Sequence, residues 1–228
     1  MTLRQAALTA GFTMLVQTIA VPADFFIFPR LVVPHDAAQT VANILANRGL
    51  YVAGSLFYLV NFLCDVVIAW AFYYLFLPVS KPLSLLAAWF NLVYAAVVLG
   101  AWLKLFDAYR LLTTPDYLAL FGSGQLRAQA RLLLGEWRWE FAGSLLIFSC
   151  HLALLGYLIF RSRYVPKWIG MLIVVDALAW VVNVLQPYAY PSVELDFLFP
   201  IFFAEWVLML WLLIAGWRLA QPTTARGG

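Results

Sequence analysis

The chain has 228 residues, of which 65% are hydrophobic and 11% charged, with a formal net charge of +3. A soluble domain is about half apolar and about one quarter charged, so this composition excludes an ordinary water-borne globule and makes lipid the solvent for much of the surface. No block of Lys and Arg is interleaved with exposed aromatics, which excludes a nucleic-acid binder.

Arg4 precedes an apolar run that reads as a first span over residues 6–28, with Gln17 mid-depth and Asp24 in its last third. A positive residue before an apolar run also describes a signal peptide. The apolar character continues past Pro22 and Ala23, and no A-x-A site closes it, so an uncleaved span is expected. In the following FPRLVVPHDAAQTVANILANRG, Asp36 reads as an N-cap and Gln39 completes a capping-box pattern. Val41, Ile44 and Leu45 make a narrow apolar stripe and Gly49 a stop, which predicts a short helix on the membrane surface. The second span covers residues 50–77. Its formal charge is Asp65, and Asn61 four positions earlier shares its helix face. A carboxylate at bilayer depth costs roughly 2.5–3.5 kcal/mol on insertion scales, so this face is expected to turn inward.

A tight connection over residues 78–82 leads to a third span, 83–106, with Asn91 and Tyr94 mid-depth. Lys104, Asp107 and Arg110 recur at a spacing of three, which suits a salt-bridged exit from the bilayer. Thr114 reads as an N-cap before Pro115, and Gly122-Ser-Gly124 as a break. Residues 125–135 set Leu126, Leu132, Leu133 and Leu134 against Arg127 and Arg131, which predicts a second interfacial helix. The fourth span, 137–160, carries Glu140 at its start and His151 in its middle; the fifth, 168–186, holds Asp176 and Asn183; the sixth, 197–217, holds Glu205. The predicted fold is all-α: a six-span transmembrane helix bundle with two outer-face interfacial helices, one transmembrane domain over residues 1–217 and a polar tail over 218–228. Aromatics at 17%, with 10 Trp, fit interfacial belts or an aromatic cavity equally. Cys64 and Cys150 fall in apolar runs and are expected to be small core hydrophobes.

Loop charge sets the expected orientation. With the N-terminus inside, Arg4, Lys81, Arg161, Arg163, Lys167, Arg218 and Arg226 lie on the inner side. Arg30, Arg48, Lys104, Arg110, Arg127, Arg131 and Arg138 lie on the outer side. The inner set occupies much shorter segments, where the rule is strongest, so N-in and C-in is expected.

Two stretches carry a resemblance. FPRLVVPHDAAQTVANILANRGLYVAG is similar to the "RLVVPgDAxxTxxNI" segment of a bacterial multi-spanning membrane family catalogued as a domain of unknown function, with His35 where a small residue is expected. HLALLGYLIFRSRYVPKWIGML resembles the same family's "HLLLLGYLLFRSGYLPRWLGVL" run. The order and spacing of the spans agree over nearly the whole chain. The resemblance implies a polytopic protein of the bacterial cell membrane and adds no catalytic residue.

One carboxylate lies within or at the rim of each span: Asp24, Asp65, Asp107, Glu140, Asp176 and Glu205. Intramembrane acids are costly and tend to mark pathways for ions or protons. Asp65, Asp176 and Glu205, with Asn61, Asn183 and His151, are therefore candidates for a common cavity that binds a proton, a cation or a small cationic apolar solute. The alternative is that each acid hydrogen-bonds a neighbouring helix and only fastens the bundle. Asp24, Lys104, Asp107, Glu136, Arg138 and Glu140 form a candidate outer-face polar cluster. It reads either as an ion-pair network or as a gate or headgroup site.

Nothing calls for a metal or another cofactor: His151 lacks an E-x-x-H or H-E-x-x-H partner. Nucleophilic catalysis has no support either. There is no G-x-S-x-G, and the neighbours Cys150 and His151 point to different sides of a helix. CDVVIAW and VDALAW would correspond in a three-plus-three inverted repeat, but they differ by one residue in spacing. Three functions remain open: small-solute or proton- or cation-linked transport or ligand binding, a membrane enzyme acting on a lipid, isoprenoid or quinone, and an accessory subunit without a site. The expected partners are the lipid bilayer and a small solute; the oligomeric state is not legible.

Overall fold

The computed structural model describes residues 1–34 and 36–219. His35 and residues 220–228, which include most of the expected polar tail, lie outside the described residues. Among the described residues the structure is helical without strands. Six segments are long and apolar enough to cross a bilayer: Leu3–Leu31, Arg48–Phe76, Lys81–Thr113, Ser123–Arg161, Lys167–Ala189 and Asp196–Arg218. Large apolar side chains face outward, such as Leu178 at 61% and Ile214 at 69% exposure, while Asp65 is 5% and Asp176 0% exposed. This inverts the pattern of a water-soluble fold and places the spans in a lipid bilayer.

Prolines decide where the first and last spans leave regular geometry. Helix α1 (Leu3–Gln17) ends in a 3-10 turn over Thr18–Ala20. Pro22 has no N–H for the Thr18 carbonyl, which accepts instead from Val21 N–H. A π turn over Ala23–Ile27 and the short helix α2 (Phe28–Leu31) complete the span. The sixth span opens with two 3-10 turns, Asp196–Leu198 and Ile201–Phe203, on either side of Pro200. Its regular helix is only Ala204–Ala215, here named α9.

Several local expectations are corrected. Helix α3 (Ala37–Ala46) does start at Asp36, whose carboxylate accepts from Gln39 N–H at 2.8 Å. The capping box is not closed, because the Gln39 side chain donates to Asn43 Oδ1 instead. The stop is Asn47, which donates from its side chain to the Asn43 carbonyl at 2.9 Å; Gly49 already lies in the first turn of α4 (Arg48–Phe76). Helix α5 (Lys81–Thr113) runs past residue 106, so Lys104, Asp107 and Arg110 stay helical. Helix α6 (Pro115–Leu120) starts after Thr114, whose side chain makes no capping bond.

The second surface helix is not a separate element. Residues 125–135 are continuous with the fourth span in α7 (Ser123–Arg161), which is about 58 Å long at about 1.5 Å per residue. Helix α8 (Lys167–Ala189) includes Pro187, which was expected in a loop and which leaves the Asn183 carbonyl without its helical donor. Cys150 is exposed and Cys64 only half-buried, so neither is a core hydrophobe.

The chain divides into two compact units. One comprises Met1–Val16, Cys64–Tyr94 and the residues from Leu145 onward. Its core includes Ala6, Ala7 and Ala10 of α1, Phe72, Leu75 and Phe76 of α4, Leu152 and Leu155 of α7, Ile169 and Ile173 of α8 and Leu208 and Leu212 of α9. Small residues let these helices approach, as expected where apolar attraction is no stronger than that of lipid. The other unit comprises Gln17–Leu63 and Ala95–Ser144. It is held by Tyr51 hydroxyl donating to the Leu105 carbonyl at 2.8 Å, by Trp102 Nε1 donating to the Ser55 carbonyl at 2.7 Å, and by stacked Tyr58, Phe62, Trp137 and Phe141.

Candidate functional site

In the first unit, α4 and α8 carry Asp65 and Asp176 near their middles, both on buried faces. The Asp65 carbonyl accepts from Asn91 Nδ2 at 2.9 Å, so α5 is pinned beside it, and Asn91 is itself 1% exposed. Asp176 is wholly buried, and neither of its carboxyl oxygens has a hydrogen-bond partner among the described residues. Glu205 is half-buried in the first turn of α9 and lies within electrostatic range of both Asp176 and Asp65. It occupies a helix N-terminus inside a span, where the unpaired N–H ends favour negative charge. The structure thus brings together the three acids that the sequence singles out.

The other expected members stand apart. The His151 ring is 2% exposed, and its Nδ1 bonds the Ala87 carbonyl at 2.9 Å; a carbonyl only accepts, so Nδ1 carries the proton. Phe72 and Phe148 lie along its faces with centroids at 6.3 and 5.8 Å, an interhelical contact rather than a ligand geometry. Among the described residues no three His, Cys, Asp or Glu side chains converge as metal ligands would. Asn183 lines a cavity of about 540 Å³ with Gln186, Glu194 and Asp196. Asn61 belongs to the second unit, where its carbonyl accepts from Gln17 Nε2 at 3.2 Å.

Two side chains outside the expected set take part. Asn91 Oδ1 and Trp180 Nε1 are both buried without a hydrogen-bond partner among the described residues. Trp180 lies one turn beyond Asp176 on the same face of α8, stacked on Phe202 at 4.1 Å. Asn91 carries a readable signal, as an amide in the middle of a span. Trp180 carries none, because Trp is common in such helices.

The second polar set lies entirely in the second unit. Lys104 Nζ meets Glu136 Oε2 at 2.9 Å and Glu140 Oε1 at 3.1 Å. Two carboxylates one helical turn apart repel, and the ammonium between them resolves that repulsion. Asp107 pairs with Arg110 at 3.8 Å. Asp24 sits in the π turn and accepts a short hydrogen bond from the Tyr58 hydroxyl, with Arg138 within electrostatic range of the same phenol. Here the ion-pair network prevails over an open site. Three cavities, of about 410, 460 and 540 Å³, are lined by none of Asp65, Asp176, Glu205 or His151.

Residues 9–216 match the family described as a domain of unknown function, DUF4386. An uncharacterized protein of Archaeoglobus fulgidus is 31% identical over 157 residues, which cover 69% of this chain and 80% of the relative. No solved structure matches the chain.

Proposed function

The chain belongs to the DUF4386 family, and we propose that its helix bundle holds an internal proton- or cation-binding site built on Asp65, Asp176 and Glu205 and linked to binding or movement of a small solute. The observation that carries this reading is Asp176, a wholly buried mid-span carboxyl whose two oxygens find no hydrogen-bond partner among the described residues. A fastening role would satisfy those oxygens, because an unmet buried polar group costs roughly 1–3 kcal/mol. Glu205 within electrostatic range and the open Asn91 Oδ1 make the surroundings rich in acceptors. Protons and hard cations are what such oxygens take up. We place both termini on the cytoplasmic side of a bacterial inner membrane, because the connections over residues 77–80 and 162–166 are short and flanked by Lys81, Arg161 and Lys167.

Thermal unfolding of the detergent-solubilised protein in sodium, lithium, potassium or a quaternary amine, and across neutral pH, tests the site. A cation at a hundredfold its Kd raises Tm by about 5–10 °C. Asp176→Asn stays folded and loses that response. A wild-type Tm indifferent to every cation and to pH, or an Asp176→Asn variant that responds like the wild type, removes the site.

A further inference from the structure

Helix α7 contains a glycine that its own geometry does not require. Gly135 has no positive φ, and a Cβ built on it would meet nothing within 4 Å. A glycine inside a helix costs roughly 0.5–1 kcal/mol relative to alanine, and here no neighbour presses close enough to explain it. Its effect is to leave a saddle on one helix face, with Arg131 one turn before it and Arg138 and Trp139 one turn after it.

A cavity of about 460 Å³ opens over this saddle, and its opposite wall is the segment from Val32 to Thr40 that follows the end of the first span. That wall is fixed. Thr40 Oγ1 accepts from Val33 N–H at 2.9 Å and donates to the Asp36 carbonyl at 2.8 Å, while the Asp36 carboxylate is engaged as the cap of α3. Arg131 and Arg138 are both exposed, and neither forms an ion pair among the described residues, in contrast to Lys104 with its two. Val32, Val33, Leu134 and Ala142 make the remaining lining apolar, and Trp139 is 59% exposed beside it.

We propose that this saddle binds the phosphate of an anionic phospholipid. The guanidinium forks of Arg131 and Arg138 match phosphate oxygens, Gly135 leaves the room between them, and the apolar lining with Trp139 takes the glycerol end of the chains. Two arginines against the one capped carboxylate of Asp36 leave the cavity positive. Free phosphate would have no use for the apolar lining. The site is independent of the carboxyl set, which lies in the other unit.

Native mass spectrometry of the full chain in detergent, titrated with phosphatidylglycerol or phosphatidylcholine, tests it. Phosphatidylglycerol binds in preference, and Arg131→Gln/Arg138→Gln weakens it about tenfold, the ratio that follows from losing one charge-assisted hydrogen bond. Gly135→Leu keeps both arginines and fills only the saddle, so it also weakens phosphatidylglycerol without lowering Tm; it decides the matter alone if the double variant does not fold. Equal binding of the two lipids, unchanged binding by Gly135→Leu, or displacement of the lipid by equimolar inorganic phosphate overturns the proposal.

Discussion

Lys104 meets Glu136 at 2.9 Å and Glu140 at 3.1 Å, whereas Asp176 meets no hydrogen-bond donor among the described residues. The first arrangement neutralises like charges that share a helix face; the second keeps a carboxyl ready for something that is not part of the chain. A third residue, Tyr164, lies in the connection between α7 and α8, where its hydroxyl donates to the Leu75 carbonyl and its ring stacks on Phe76. Burial pushes the Tyr164 phenol up from its ordinary value. A phenol whose folded pKa is raised stays protonated while the unfolded chain releases its proton above about pH 10, so its stabilising contribution is present below that pH and falls as pH rises further. Unfolding of the wild type and Tyr164→Phe as a function of alkaline pH is expected to show a shallower loss in the variant; parallel curves would mean that Tyr164 carries no such linkage. At this scale the sequence was most legible where cost is highest. The insertion penalty of a carboxylate predicts that Asp65 and Asp176 turn inward, and they do. It could not identify Trp180, whose open N–H depends on where Phe202 stacks.

Among the elements, α7 and α8 approach most closely at glycines. A Cβ at Gly156 would lie 2.7 Å from the Gly170 carbonyl oxygen, and a Cβ at Gly170 would lie 2.7 Å from the Gly156 carbonyl oxygen. Backbone cannot yield as a side chain end can, so Gly156→Ala or Gly170→Ala is expected to destabilise by about 1–3 kcal/mol. Gly143→Ala, with nothing within 4 Å of the added Cβ, is expected to stabilise by up to about 1 kcal/mol through helix propensity. Denaturant unfolding in mixed micelles measures both, and equal effects at Gly143 and Gly156 would contradict the close approach. Apolar runs located all six spans, because hydrocarbon thickness fixes a minimum length. Their ends were less legible. Gly49 and Gly135 read as stops, yet a helix passes through each, because glycine ends a helix only when the chain takes the left-handed turn, and neither does. The cavity over Gly135 depends on a wall about a hundred residues away in the chain, which no local pattern encodes.

For the whole molecule, the bilayer and the bundle follow from composition, and the family match over residues 9–216 agrees with them. The two units divide the polar groups: the carboxyl set lies in one, and the Lys104 ion pairs and the arginine saddle lie in the other. A bilayer protein with a carboxyl of this kind is expected to move charge when an ion gradient is imposed. The most direct test is therefore the transient current of proteoliposomes on a solid-supported membrane after a jump in proton or sodium concentration. Wild-type protein is expected to give a current that Asp176→Asn, reconstituted at equal density, abolishes. No wild-type current under any gradient, or an undiminished current from Asp176→Asn, would contradict the account.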